Sequence, residues 1–324
     1  MLPPTTGHLE NHEVVISSEP SQIDALSLSS HNTLPTATAK NKSIVFRECV
    51  PQQAARIMII DALAIDGNAI AKKESLCLAR SQAALAAATS LDPKILNDWN
   101  QADYYEKQNI SNNLSSTNPE LEKHLTSADL YKQAAFLFKT ILERRDHFMK
   151  SMEEHPTSVS VYCERLPAAR TTLNKINEIA ENMVEAIEKK LLYTDLAREA
   201  IPLDAPAIAA VIDLYGKNLT VSTSLAEFIQ GGSYKEIPLM YEMSKSSINN
   251  AHCIERTIEA RKTNTQGQKN LVILQLKEAS GYFSRAFNTL YEATTTTNNG
   301  AFAAKIKIGA FYNEAGSKLL EIKM

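Results

Sequence analysis

Glycine and aromatic residues are scarce in this sequence, with 10 glycines among 324 residues and an aromatic content of 6%. Sandwiches and barrels need many turn residues and many β-branched or aromatic strand residues, so this shortage argues against an all-β fold. Alanine, leucine, isoleucine, glutamate and lysine are the frequent residues instead, and these favour helix. The composition therefore predicts an all-α chain, which at this length can bury a sizeable core.

The sequence also lacks a strong charge of either sign, because its formal net charge is -3 and its pI is about 6.2. It has no basic stripe with interleaved aromatics of the kind that binds nucleic acid. The N-terminus shows no signal peptide, and no window approaches the roughly 18 continuous apolar residues that a membrane span needs. These features predict a cytoplasmic protein with no nucleic-acid partner and at most a peripheral membrane association.

Catalytic motifs are missing as well. The cysteines lie far apart, without the C-x-x-C spacing of metal or redox sites, and are expected to be buried free thiols; they are Cys49, Cys77, Cys163 and Cys253. No local sequence pairs one of them with His155 or His252 as nucleophile and base. A helical enzyme in which His252, Cys253 and carboxylates converge in a deep pocket stays the lowest-ranked alternative.

Other residues that could hold a metal ion or a phosphate have simpler interpretations. Glu181, Glu185 and Glu188 share one helical face but lack the Glu-x-x-His of a di-iron bundle, so we expect a solvated face paired with Lys189. His8 and His12 have helical metal spacing but lie in a polar segment. The loop at 231–235 lacks the spacing of a P-loop and predicts a turn. We therefore predict no catalytic residue, no metal site and no cofactor.

The chain divides into two regions by composition. Residues 1–45 are rich in Ser, Thr, Pro and Asn and are predicted to form a disordered arm, because they offer too little apolar surface to offset the entropy of ordering. Residues 46–324 are predicted to form the helical domain. From Pro51 onward, Pro and Gly separate roughly eight helices, with one break around Pro156 and Pro167.

The predicted helices carry apolar stripes at steps of three and four residues, which indicate buried faces. Segments of this length joined by short turns favour antiparallel hairpins stacked side by side, as in a curved, tetratricopeptide-like scaffold. The stripes are Tyr131, Ala134, Ala135, Phe138, Ile141 and Leu142; Ile176, Ala180, Met183, Ile187 and Leu191; Leu276, Ala279, Phe283, Ala286, Phe287 and Leu290; and Ala304, Ile308, Phe311, Ala315 and Leu319.

Several segments resemble, in order, the helical core of the Bro domain found in Alix and related endosomal adaptors. They are ESLCLARSQAALAAAT (74–89), SADLYKQAAFLFKTI (127–141), HPTSVSVYCERL (155–166), ENMVEAIEKK (181–190), ASGYFSRAF (279–287) and NNGAFAAKIKIGAFYNEA (298–315). The resemblance spans about residues 50–323. The helix at 181–190 keeps only part of the family's Ala-Gln-Ala-Gln-Glu pattern, and the family's N-terminal strands and first helices have no clear counterpart.

The resemblance implies a non-enzymatic scaffold that binds the C-terminal amphipathic helix of an ESCRT-III subunit in an apolar groove, in the cytoplasm and peripherally at endosomes. The family's apolar positions fall near Lys190, Leu203 and Ala207, and only Leu203 keeps a large apolar side chain. The predicted partner-binding residues are Leu203, Leu191 and Leu192. The alternative function is a secreted bacterial effector or helical adaptor that uses its unstructured N-terminus as an export signal.

Overall fold

The computed structural model describes residues 65–154, 159–199, 205–262 and 266–321. Nine α-helices account for most of the described residues, which contain no strand, so the predicted all-α fold is confirmed. The predicted arm at 1–45 and nearly all of the helix predicted from Pro51 lie outside the described residues. The helices are α1 (Gly67–Leu91), α2 (Ile95–Gln101), α3 (Tyr104–Thr117), α4 (Pro119–Glu154), α5 (Val159–Glu199), α6 (Ala205–Gln230), α7 (Ile237–Lys262), α8 (Gln266–Thr294) and α9 (Asn299–Glu321).

The long helices pack as a series of stacked hairpins, as the sequence predicted. From α4 to α9 each helix packs on the next in chain order, and α1 packs on α4. Helices two apart also meet, α4 with α6, α5 with α7 and α7 with α9. This arrangement follows from the amphipathic pattern, because each apolar stripe needs a neighbouring helix to cover it.

Three of the predicted stripes are buried as expected. The stripe of α4 has Ala134, Phe138 and Ile141 at its centre, all at most 2% exposed. On α5 and on α8 most members of the stripe are likewise buried and belong to the packed clusters between helices. These stripes were predictable because each one is covered along its length by the next helix.

The stripe predicted for α9 is wrong at its centre. Phe311 is 64% exposed and Ile308 is 46% exposed, so these two side chains face away from the stack, whereas Leu319 packs against a buried cluster. The buried face of α9 consists of Gly309, Asn313 and Gly316 instead. A Cβ atom at Gly309 would lie 2.4 Å from Cγ of Leu290, which shows how closely the α9 backbone approaches α8. Close packing of backbones therefore holds α9 in place, together with Phe302, Ile306, Leu319 and Leu320, which pack against the buried clusters.

The expected break at Pro167 is also wrong, because α5 runs through this residue. A proline inside a helix removes one backbone hydrogen bond and costs about 3 kcal/mol. The buried stripe that follows, with Ile176 and Met183 nearly inaccessible to solvent, offsets this cost through packing. The Thr171 hydroxyl donates a hydrogen bond to the Pro167 carbonyl at 2.8 Å.

Short polar side chains define where the early helices begin. Asp66 accepts hydrogen bonds from two backbone amides at the start of α1, and the Asn118 side chain accepts one from Leu121 at the start of α4. Asp103 and Glu106 form a reciprocal capping box at the start of α3. The Ser- and Asn-rich residues that follow this cap are helical up to Thr117.

Candidate functional site

A cleft of about 300 Å³ lies between the N-terminal half of α4 and the C-terminal half of α5. We call it the α4–α5 cleft. Its lining residues come from four helices: Ser115 of α3; Pro119, Glu122, Lys123, Thr126, Ser127 and Leu130 of α4; Ile187, Lys190, Leu191, Thr194 and Arg198 of α5; and Leu219 of α6. Eleven helical steps of about 1.5 Å separate the ends of the α4 wall, so the cleft extends for roughly 16 Å, or three helical turns.

Two neighbouring stripes of helix build this cleft. The lining residues of α5 recur every three or four residues, with Lys190 and Leu191 adjacent, and those of α4 recur in the same way, so each helix contributes one continuous face. The helices run in opposite directions here, since the Lys123 amine lies 3.0 Å from a carboxylate oxygen of Asp195 near the end of α5. The floor is apolar, formed by Leu130, Ile187, Leu191 and Leu219.

The rim of the α4–α5 cleft is mainly cationic. Three of its lining residues, Lys123, Lys190 and Arg198, are basic, and Glu122 is the one acidic residue among them. Lys123 is paired with Asp195, and Arg198 lies 3.6 Å from the same carboxylate. Lys190 has no ion-pair partner among the described residues. The cleft therefore combines an apolar floor with at least one available positive charge.

Of the three residues predicted from sequence to bind a partner, one lines this cleft. Leu191 lines the α4–α5 cleft and packs against the main core. Leu192 is 50% exposed but is not among the residues that line the cleft, because neighbouring residues on a helix point about 100° apart. Leu203 lies outside the described residues. The sequence did not predict the α4 residues that line the cleft, because nothing in the sequence of α4 indicates that they face α5.

A polar cluster at the junction of α5, α6 and α7 is the second candidate. Nε2 of His252 lies 2.6 Å from Oε1 of Glu185. The buried Tyr215 hydroxyl donates a hydrogen bond to Oε1 of Glu255 at 2.9 Å, and the Lys189 amine approaches the same oxygen at 3.3 Å. Every one of these groups has a partner, so we interpret the cluster as a link between helices.

The charges in this cluster shift the ionisation of its members. The hydrogen bond from His252 lowers the pKa of Glu185 below its ordinary value, against a smaller opposing effect of burial. Burial, and then the negative charge of Glu255, raise the pKa of Tyr215 well above its ordinary value. Tyr215 is therefore a neutral hydrogen-bond donor at physiological pH and not a general base.

The α5 carboxylates form a partly solvated face, as expected, with side chains 36–48% exposed, but the predicted pairing with Lys189 is wrong. The two outer carboxylates, Glu181 and Glu188, pair with Lys73 and Arg80 of α1. Glu185 between them pairs with His252 of α7. This acidic face is thus a surface on which two neighbouring helices dock, and the described residues contain no group of three or more potential metal ligands.

Cys77 and Cys253 are buried free thiols, as expected, whereas Cys49 and the side chain of Cys163 are not described. Burial is the main cause that raises the pKa of Cys77 to about 11 and that of Cys253 to about 12. Since a thiolate is the reactive form, both thiols are unreactive at neutral pH. The His252 ring is hydrogen-bonded to Glu185.

A buried polar face of α7 had no counterpart in the sequence analysis. Ser244, Ser246 and Ser247 are inaccessible to solvent, although serines at helical spacing usually indicate an exposed face. The Asn218 amide donates hydrogen bonds to Ser244, and the Ser246 hydroxyl donates one to Asn313 Oδ1 at 2.7 Å. These bonds join α7 to α6 and α9, so this face is structural.

None of the helices in the described ranges is both long enough and apolar enough to cross a membrane. Comparison of the chain with models of protein families, with curated proteins and with solved structures found no match. On the described surface, the α4–α5 cleft is a concave site with an apolar floor.

Proposed function

We propose that this chain is a non-enzymatic scaffold that binds an amphipathic helix of a partner protein in the α4–α5 cleft. The proposal rests on one observation, the apolar floor under a cationic rim over about three helical turns. A helix docks in such a groove through residues at steps of three or four that fill the apolar floor. The resemblance to the Bro domain adds the partner class, the C-terminal helix of an ESCRT-III subunit, and a cytoplasmic location at the surface of endosomes.

The shape of the α4–α5 cleft supports a helix better than a small metabolite. Its volume of about 300 Å³ is at the lower end of the range for small-molecule pockets. The lining residues follow two parallel rows along α4 and α5 and do not converge on one point. The groove between two packed helices, whose axes lie about 8–10 Å apart, is the geometry into which a third helix packs.

The charges of the rim define the partner helix further. Lys190 has no ion-pair partner among the described residues, while Lys123 and Arg198 share Asp195. A partner with leucine-type residues on one face and carboxylates beside them would match both the floor and the rim. Complementary charges of this kind chiefly raise the association rate and the specificity, so binding should weaken with salt.

The test is a fluorescence-anisotropy titration of the whole chain into labelled peptides. The panel contains C-terminal helices of ESCRT-III subunits and a designed helix with leucine at steps of three and four and flanking glutamates. A second designed peptide carries lysine in place of each glutamate. We expect saturable binding of the glutamate peptide and weaker binding of the lysine peptide. No binding by any peptide would contradict the proposal.

Two variants connect binding to the cleft. Leu191→Asp places a charge on the apolar floor and should cost about 2 kcal/mol of binding free energy or more, as expected for a central anchor. Leu191 also touches the core, so Lys190→Glu on the rim is the second variant. It should weaken the binding of the glutamate peptide and leave the binding of the lysine peptide unweakened. Leu192→Asp is the matched control, since this exposed neighbour lies outside the cleft lining. If Leu191→Asp and Leu192→Asp lost the same binding free energy, the assignment of the binding site to the α4–α5 cleft would be contradicted.

A further inference from the structure

The outer face of α9 presents an apolar stripe that no described helix covers. Ala304, Ile308, Phe311 and Ala315 follow one another at steps of four, three and four, which places them on one face of the helix. Phe311 is 64% exposed and Ile308 is 46% exposed. The opposite face of α9 is the one that packs on the stack, through Gly309, Asn313 and Gly316. We call Ala304, Ile308, Phe311 and Ala315 the α9 stripe; the first three are exposed and Ala315 is half-buried.

We propose that a second copy of this chain packs on the α9 stripe, with the two α9 helices antiparallel about a two-fold axis beside Phe311. An interface of this symmetry uses the same surface on both copies, so the surface must be complementary to itself. The residues of the α9 stripe and its charged edge meet this condition in size and in charge.

The sizes of the side chains are the first argument. Ile308 lies one helical turn before Phe311, and Ala315 lies one turn after it. In an antiparallel pair centred on Phe311, each Ile308 therefore faces Ala315 of the second copy. A large side chain meets a small one at both positions, which lets the two helices approach without leaving a void or forcing a clash.

The charges are the second argument. Lys307 and Glu314 lie two turns apart on the same edge of the α9 stripe, and both are exposed. When two helices pair antiparallel about a two-fold axis, the same edge of each helix meets, and Lys307 faces Glu314 of the second copy. The symmetry repeats this ion pair on the other side. Within its own chain Glu314 pairs with Lys318, an exposed contact that contributes little.

The size of the interface sets the expected strength. Stable interfaces bury about 800 Å² on each partner. A helix of 23 residues is about 34 Å long, and one face of it offers less than that area. The dimer should therefore be a weak one, with a dissociation constant in the micromolar range, and its ion pairs should make it sensitive to salt.

The test is sedimentation-velocity ultracentrifugation of the whole chain from low to high micromolar concentration. We expect the weight-average mass to rise toward that of a dimer with concentration and to fall again in high salt. Phe311→Asp should leave a monomer throughout, and because this side chain is exposed, circular dichroism should show an unchanged fold. Leu192→Asp makes the same kind of substitution on α5 and should dimerise like the unmodified chain.

A charge exchange separates this interface from any other self-association. Lys307→Glu should weaken the dimer by about tenfold, because it replaces two attractions by two repulsions. Adding Glu314→Lys to that variant restores the opposite charges and should restore the dimer. A chain that stays monomeric at every concentration, a Phe311→Asp variant that still dimerises, or a double variant as weak as the single one would each overturn the proposal.

Discussion

A Cβ atom placed on Gly309 would lie 2.4 Å from Cγ of Leu290, so α9 approaches α8 closely enough to exclude even a methyl group. Gly316 shows the same relationship to the ring of Phe283, at 2.8 Å. The two glycines lie on the buried face of α9, two turns apart. They leave no room for a large side chain at these two positions of the buried face.

Gly309→Ala should therefore destabilise the chain, although alanine is the better helix former. Overpacking of a filled core costs about 1–3 kcal/mol, which exceeds the helix-propensity gain of about 1 kcal/mol. Gly281→Ala in α8 is the matched control, because its Cβ would meet nothing within 4 Å, and it should stabilise the chain. Urea unfolding of both variants measures the effect, and a stabilised Gly309→Ala variant would contradict this packing.

The hydrogen bond from Tyr215 to Glu255 should contribute to stability. Tyr215 is inaccessible to solvent, and its hydroxyl is 2.9 Å from the carboxylate. Tyr215→Phe removes a donor from a charged acceptor and should lower the free energy of unfolding by about 1.5–3 kcal/mol. Tyr291→Phe removes a hydroxyl at a side chain that is 61% exposed and should have almost no effect. Equal unfolding midpoints for both variants would show that the bond contributes nothing.

The pair of Glu185 and His252 should make stability depend on pH in a defined range. The pKa of Glu185 is lowered in the folded chain, so its contribution is present above the unfolded value of about 4.3 and is lost as the pH falls through the folded value. Glu185→Gln should therefore be less stable than the unmodified chain at pH 7, and the difference should shrink between about pH 5 and pH 3.

Glu143→Gln is the control for this experiment, because Glu143 forms an exposed ion pair within α4 and exposed pairs contribute little. Denaturant unfolding at several pH values provides the comparison. A difference between Glu185→Gln and the unmodified chain that stays constant down to pH 3 would exclude the carboxylate of Glu185 as its cause.

The two buried thiols should resist modification in the native state. The pKa of Cys77 is about 11 and that of Cys253 is about 12, so almost no thiolate exists at pH 8. In a variant with serine at positions 49 and 163, Ellman's reagent should react slowly with the two remaining thiols of the folded chain. It should react rapidly with them once urea unfolds the chain. Fast reaction of the folded variant would contradict the burial of both side chains.

Sequence patterns predicted the helical fold better than they predicted which helix faces are exposed. The stripes of α4, α5 and α8 were read correctly because helical periodicity identifies an apolar face, and in these helices a neighbour covers it. Periodicity cannot say whether such a neighbour exists, and on α9 no helix of the described ranges covers Ile308 and Phe311. The buried face of α9 was hidden because Gly309 and Gly316 carry no apolar side chain. In α3 the Ser- and Asn-rich composition concealed a helix that Asp103 and Glu106 begin.

The candidate site was only partly predictable. Leu191 was identified from the resemblance to the Bro domain, and it does line the α4–α5 cleft. The opposite wall depends on the contact between α4 and α5, seen in the pairing of Lys123 with Asp195 across 72 residues of sequence. Nothing local to either residue indicates that they meet. Such a cleft becomes visible only when the helices are packed.

Photo-crosslinking tests the central claim most directly, because it locates the bound helix on the chain. The designed glutamate peptide carries a benzophenone side chain in place of its central leucine, and the adducts are mapped by mass spectrometry. Binding in the α4–α5 cleft predicts adducts confined to residues 119–130 and 187–198. These adducts should disappear in the Leu191→Asp variant and remain in the Leu192→Asp variant. Adducts on α9, or adducts scattered over the surface and unaffected by Leu191→Asp, would contradict the account.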